Sequence, residues 1–152
     1  MTPTAPKAAV RLVLDTNTVI SGLLWPDGNP SKLIDAAEAG QVELFTSVAL
    51  LNELQRVIAR EKFTKQLSKR QIAVRDLFDG YAAIATVLTP AVIAPTIVRD
   101  PADDAVLACA LAANAELIVS GDDDLHDIGT YRGIRIVAAR EAVEIITGSV
   151  SQ

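Results

Sequence analysis

The chain has 152 residues, half of them apolar and 22% charged, a balance that excludes an intrinsically disordered protein. A chain of this length buries roughly 70% of its unfolded surface and builds a core of its own, so one domain is expected, running from Val10 to Gly148 behind a loose tail over residues 1–9. One cysteine (Cys109) and one histidine (His126) exclude a disulfide framework and a Cys–His metal cage, so any metal chemistry must use oxygen ligands.

No run of about 20 apolar residues is present, and the longest apolar stretch, Val87 to Val98, is broken by Thr89, Pro90, Pro95 and Thr96. Without a secretory-type apolar segment near Met1, a cytoplasmic and reducing setting is expected, with no membrane partner. The net charge of −5 argues against nucleic acid, but it hides a division. From Arg56 to Arg75 there are seven cations (Arg56, Arg60, Lys62, Lys65, Lys69, Arg70, Arg75) and one acid, Glu61, whereas the stretch from Asp100 to Asp127 is strongly acidic.

In chain order, Val10 to Leu14 reads as a buried strand ending at Asp15, and Thr16 to Leu24 as a short helix closed by Trp25-Pro26-Asp27-Gly28. Trp25 is expected as a core or interface anchor rather than a base-stacking platform. Asn29 suits the cap of a second helix, Pro30 its first turn and Gly40 the position past its end, before a strand over Val42 to Thr46. Ser47 to Arg60 is amphipathic, with Leu50, Leu51, Leu54, Val57 and Ile58 on one face. A basic connection follows, and Ser68 with Gln71 makes a capping box opening a helix through Ile72, Leu77, Tyr81 and Ile84. Ala85 to Leu88 reads as the third strand. Asp100-Pro101-Ala102-Asp103 starts a helix that stops at Asn114; strands over Glu116 to Ser120 and Ile134 to Ala138 and a last helix complete the pattern. Such alternation predicts one mostly parallel sheet of about five strands, covered on both faces. Ligands of such sheets bind beyond the carboxyl ends of the strands, where the strand order reverses.

Two strands end in acids: Asp15 follows the first and Asp122 the fourth. Asp103 and Asp104 open the helix leading into the fourth, and Glu53 lies at the edge of an apolar stripe. Crowded carboxylates resist joint ionisation, and a hard cation such as Mg²⁺ or Mn²⁺ relieves that resistance. Each acid also has a plain structural role: Asp15 and Asp103 as helix caps, Glu53 as the partner of Arg56, Asp104 as a complement to the helix dipole, and Asp122, Asp123 and Asp124 as a solvated turn. The basic block fits either an RNA backbone path or an ordinary solvated face, His126 reads as a turn residue, and Cys109 as a small apolar packer.

Four segments in order resemble the PIN-domain ribonucleases: Leu12-Val13-Leu14-Asp15-Thr16-Asn17, Val48 to Leu54, Asp100 to Ala110, and Ile118 to Leu125. The branch most similar is the toxin component of bacterial toxin–antitoxin pairs (VapC-like), over roughly Val10 to Ile146. The resemblance implies a three-layer α/β/α sandwich and metal-dependent cleavage of single-stranded RNA. It implies Asp15, Glu53, Asp104 and Asp122 as the catalytic, metal-binding acids, Asp124 as a further ligand, and Asn17 and Ser120 as polar support. Asp103 is not the key position under this alignment, which agrees with its capping role. Arg56, Arg60, Lys62 and Lys65 then fall on the RNA path, and a small antitoxin and a homodimer are the implied partners.

A haloacid-dehalogenase-like phosphatase is the alternative enzyme. Gly121-Asp122 with Asp127 fits it, but Asp15-Thr16-Asn17 lacks its second acid and no lysine lies between Arg75 and Gln152. A phosphoacceptor receiver domain needs an aspartate where Leu88-Thr89-Pro90 stands and a lysine where Ala138-Ala139-Arg140 stands. A catalytically inactive RNA-binding PIN module is the third alternative.

Overall fold

The structure, a computed structural model, describes residues 9–94 and 101–148. The expected loose tail before Ala9 and the turn position Asp100 lie outside the described residues. The first strand, β1 (Val10–Leu14), is followed by helices α1 (Thr16–Leu24) and α2 (Asn29–Glu38). Next come β2 (Val42–Thr46), α3 (Val48–Ile58), α4 (Glu61–Lys69), α5 (Val74–Ile84) and β3 (Thr86–Val87). The remainder is α6 (Pro101–Ala113), β4 (Leu117–Val119), α7 (Asp123–Ile128), β5 (Thr130–Tyr131), β6 (Ile134–Val137) and α8 (Ala139–Thr147).

The strands form one sheet in the order β3-β2-β1-β4-β6-β5, parallel except for β5 against β6. Alternate strand residues face opposite sides, so each strand feeds two cores. Leu12, Leu14, Val42, Leu44, Leu117, Val119 and Val137 join Val19, Leu24, Leu33, Leu54, Ile58 and Tyr81 from the helices on one side. Val13, Phe45, Ile118 and Ile136 join Val106, Leu107 and Ala110 of α6 and Leu125 of α7 on the other. Helices cover both faces, which makes the three layers of an α/β/α sandwich. From β1 the chain builds outward through β2 and β3, then returns to place β4 on the other flank of β1. The order therefore reverses between β1 and β4, and the crevice expected at a switch point opens there.

The structure differs from the sequence expectation in several places. The basic connection is a helix, α4, with Glu61 in its first turn and Lys69 in its last, both favourable for the helix dipole. Ser68 lies inside that helix and Gln71 takes a left-handed φ of 56°, so the two make no capping box; α5 begins at Val74. Asn29 is the first residue of α2, and Gly28 occupies the cap. The sheet has six strands because Arg132 and Gly133, both at positive φ, turn a two-residue hairpin between β5 and β6. Asp122 to Asp124 is not a solvated turn but the start of α7. Trp25 is 52% exposed, so it is not a core anchor. Asn114 does end α6 with a left-handed φ of 50°, and Gly40 takes a φ of 78° after α2.

Candidate metal centre

Register sets the site. Leu14 pairs with Val119 across β1 and β4, so Asp15 and Ser120 leave the sheet side by side. The Asp15 N–H donates to the Val119 carbonyl at 3.1 Å. Asp15 is buried and caps α1, its Oδ1 accepting from the Thr18 N–H at 2.8 Å, while its Oδ2 accepts from the Ser120 hydroxyl at 2.5 Å. A carboxylate offers about four lone-pair sites, and these bonds occupy two. The capping role is therefore real and leaves acceptor capacity over.

Ser120 is fully buried and joins two acids, because its Oγ also accepts from the Asp122 N–H at 2.9 Å. Asp122 caps α7 through Oδ1, which accepts from the N–H groups of Asp124 (2.8 Å) and Leu125 (3.3 Å). His126, one turn along, donates from Nε2 to the Ser120 carbonyl at 2.5 Å, which ties α7 to the end of β4. The carbonyl can only accept, so the ring proton sits on Nε2. That bond gives His126 a holding role.

Carboxylate oxygens of Asp103, Asp122 and Asp124 lie within 4.8 Å of one another. Two come from first turns of helices (α6 and α7) and one from a cap, where backbone N–H groups and the helix dipole favour negative charge. A cleft of about 300 Å³ opens beside them, lined by Asp15, Thr16, Asn17, Glu53, Arg56, Val57, Arg60, Ala102, Asp103, Val106 and Asp122. Asn17 is exposed on its wall and makes no hydrogen bond to Asp15; Thr18 and Ser120 hold that acid. Asp104 is half-buried and is not on the cleft wall. Asp103, 6% exposed, is the acid of that pair which reaches the site. The signal was readable: Asp103, Val106, Ala110 and Ala113 recur at helical spacing and all are buried.

The opposite wall is basic. Arg56 grips Glu53 through bonds of 2.7 Å to each carboxylate oxygen, and this pairing raises the guanidinium pKa above its ordinary value. Arg60 stands one turn further along at the α4 cap. Lys65 pairs with Glu61 at 3.0 Å, and the Lys62 ammonium lies 4.8 Å from the centroid of the Phe63 ring. Away from the site, burial pushes the Cys109 thiol up to about 12, and Cys109 packs within the α6 core.

A parallel α/β sandwich with an oxygen-only acidic cluster at its switch point is a scaffold for hard-cation chemistry. The family model of the PIN domain matches residues 11–124. The chain belongs to the PIN domain family. PIN domains are nucleases that typically use divalent metals, and nuclease chemistry is the activity class that membership gives. The uncharacterized protein MJ1680 of Methanocaldococcus jannaschii is 26% identical over 119 residues, covering 78% of this chain and 75% of that one. Among solved structures, the crystal structure of VapBC2 from Rickettsia felis bound to a DNA fragment from its promoter is similar, with a TM-score of 0.55. That match is 15% identical and covers 84% of this chain and 97% of the other, a likeness of fold. Among the described residues, no helix is long and apolar enough to cross a membrane.

Proposed function

We propose that this chain is a metal-dependent endoribonuclease that hydrolyses phosphodiester bonds of single-stranded RNA. We further propose that it is the toxin of a toxin–antitoxin pair, with a small antitoxin as its partner, a homodimer as its assembly and the cytoplasm as its place of action. The observation that carries the nuclease reading is the meeting of Asp103, Asp122 and Asp124 beside a cleft whose other wall is cationic. The VapBC2 likeness in fold supports the toxin reading.

The donor set fits Mg²⁺ or Mn²⁺: every candidate ligand is a carboxylate oxygen, and three are close enough to share an ion. Asp103, Asp122 and Asp124 would hold it, with Asp15 beside them. A cation bound there supplies Lewis acidity and lowers the pKa of water. Asp15, fixed by two hydrogen bonds, orients the attacking water from its free acceptor sites. Arg56 and Arg60 bind phosphate across the cleft, and Lys62 and Lys65 on α4 extend the path for the RNA backbone. Asp103 takes the place of Asp104 in this assignment, because a carboxylate oxygen of Asp103 lies within 4.8 Å of those of Asp122 and Asp124, a grouping that does not include Asp104.

The test is cleavage of a labelled single-stranded RNA with Mn²⁺. Asp103→Asn and Asp122→Asn should lose at least about 100-fold in rate, as expected when charge stabilisation is removed at a reacting centre, while Asp104→Asn stays within a few-fold. Wild-type rates for Asp103→Asn would refute the assignment. RNA binding without cleavage in either metal would instead favour the inactive module. The phosphatase and receiver alternatives have no support from the family match.

A further inference from the structure

Trp25, the only tryptophan, stands in the open. It follows Leu24 at the end of α1 and is 52% exposed. Its backbone is held on both sides. The Trp25 N–H donates to the Ser21 carbonyl at 3.0 Å, and the Trp25 carbonyl accepts from the Gly28 N–H at 3.4 Å. Just before it, the Leu24 carbonyl accepts from Nη1 of Arg70 at 2.6 Å. That last bond joins two helices at their far ends. Both α1 and α4 start at the cleft, whose wall includes Thr16 and Asn17 of α1 and Arg60, the cap of α4. Each helix has nine residues, a length of about 14 Å at about 1.5 Å per residue. Residues 60–70 carry five cations (Arg60, Lys62, Lys65, Lys69, Arg70) against one acid, Glu61, and α1 carries no charged residue. The track that leaves the cleft is therefore cationic on one side, uncharged on the other, and ends at an indole.

We propose that Trp25 is a stacking platform for a base of the single-stranded RNA, at the end of the α4 cation track and about 14 Å from the cleft wall. This rests on the ribonuclease reading of the cleft. The other exposed large apolar side chains among the described residues, Val48, Val87 and Val92, belong to neither helix. A protein partner that anchors on a tryptophan needs water-excluding contacts round the ring. A base needs only the face of the ring, with cations nearby for the backbone. The indole turns on two torsions and its backbone is already held, so little freedom is lost when a base settles on it. Stacking of this kind selects for unpaired RNA, whose bases can be splayed out of the helix, and it tolerates every base because each has a π-face.

The experiment uses the full chain in EDTA. Trp25 is the sole tryptophan, so its emission reports on this position alone. Titration with an unlabelled oligouridylate should quench that emission. An abasic strand of the same length should bind through its phosphates and leave the emission unchanged. Affinities are read separately, by anisotropy of a fluorescein-labelled oligouridylate across a NaCl series. Trp25→Ala and Trp25→Leu should weaken binding about 5- to 100-fold, the range for one stacked base, while Trp25→Phe stays within about three-fold. The slope of log affinity against log salt should be the same in all four proteins, because stacking releases no counterion. The quenching is measured on the wild type and needs no variant to fold. The proposal is overturned if saturating oligouridylate leaves the emission unchanged, if the abasic strand quenches equally, or if Trp25→Leu holds RNA as well as Trp25→Phe does. Wild-type affinity in Trp25→Ala would also overturn it and leave the indole as the anchor of a protein partner. Should the wild type bind no single-stranded RNA at all, the ribonuclease reading of the cleft fails as well; RNA that binds without touching the indole sinks this proposal alone.

Discussion

Replacing Ser120 by alanine removes one oxygen and unsettles two acids. The hydroxyl donates to Asp15 Oδ2 and accepts from the Asp122 N–H, in a position with no exposure to solvent. Alanine fills nearly the same space, so the loss is one of hydrogen bonding. A bond to a charged group contributes about 1.5–3 kcal/mol, and a buried N–H left without a partner costs about 1–3 kcal/mol. The two share one oxygen and overlap, so a loss of about 3 kcal/mol is expected. With a urea m-value of about 2 kcal/mol/M, the unfolding midpoint falls by about 1.5 M. The acids also lose their mutual alignment, so Mn²⁺ affinity should drop about 10–100-fold, as it does when groups behind metal ligands are removed. Ser120→Thr keeps the hydroxyl and should recover most of the metal affinity. Urea melts and Mn²⁺ calorimetry on the three proteins decide the matter. A midpoint within about 0.3 M of wild type together with unchanged Mn²⁺ affinity would refute the claim that this hydroxyl organises the site.

Mn²⁺ at about 100 times its Kd should stabilise the fold by about 2.7 kcal/mol, a rise of about 5–10 °C in Tm that EDTA reverses in a thermal-shift assay. Gly22→Ala should destabilise by about 1–2 kcal/mol in chemical denaturation: the new methyl would sit 2.6 Å from Ile34 Cδ1 and 3.0 Å from the Pro30 carbonyl, and that overpacking exceeds the helix-propensity gain of about 1 kcal/mol. Alkaline pH should unfold the protein through Cys109 and Tyr81, whose folded pKa values are both raised by burial. A raised value contributes stability that is complete below the unfolded pKa and is lost as pH climbs towards the folded one. For Cys109 that window runs from 9.0 to about 12, so urea midpoints should fall from pH 9 upward, and Cys109→Ala should flatten the lower part of the decline.

Much of the sandwich was legible because its signals are local. β1, β2 and α1 begin and end where the apolar runs and their terminators do, since a fully buried parallel strand is a short apolar word between turn residues. The helix α4 was hidden because its buried face is Leu67 alone, with Phe63 partly covered, too thin a stripe for periodicity to register among lysines. The clue was electrostatic, with Glu61 opening and Lys69 closing the segment. β5 has no signal in the apolar pattern because two residues carry no period; the Arg132-Gly133 turn is its mark. At the site, the strand-end acids Asp15 and Asp122 follow from topology, but the choice between Asp103 and Asp104 turns on a 100° step around α6. Motif spacing points to Asp104, whereas burial and the cleft wall single out Asp103.

Each outermost strand, β3 and β5, is only two residues long. A neighbouring molecule seeking to continue the hydrogen-bonded ladder finds almost no rung to join, a common guard against stacking into fibres. Among the described residues, the sheet edges therefore offer little for backbone pairing, and any contact between copies would draw on side-chain fit instead.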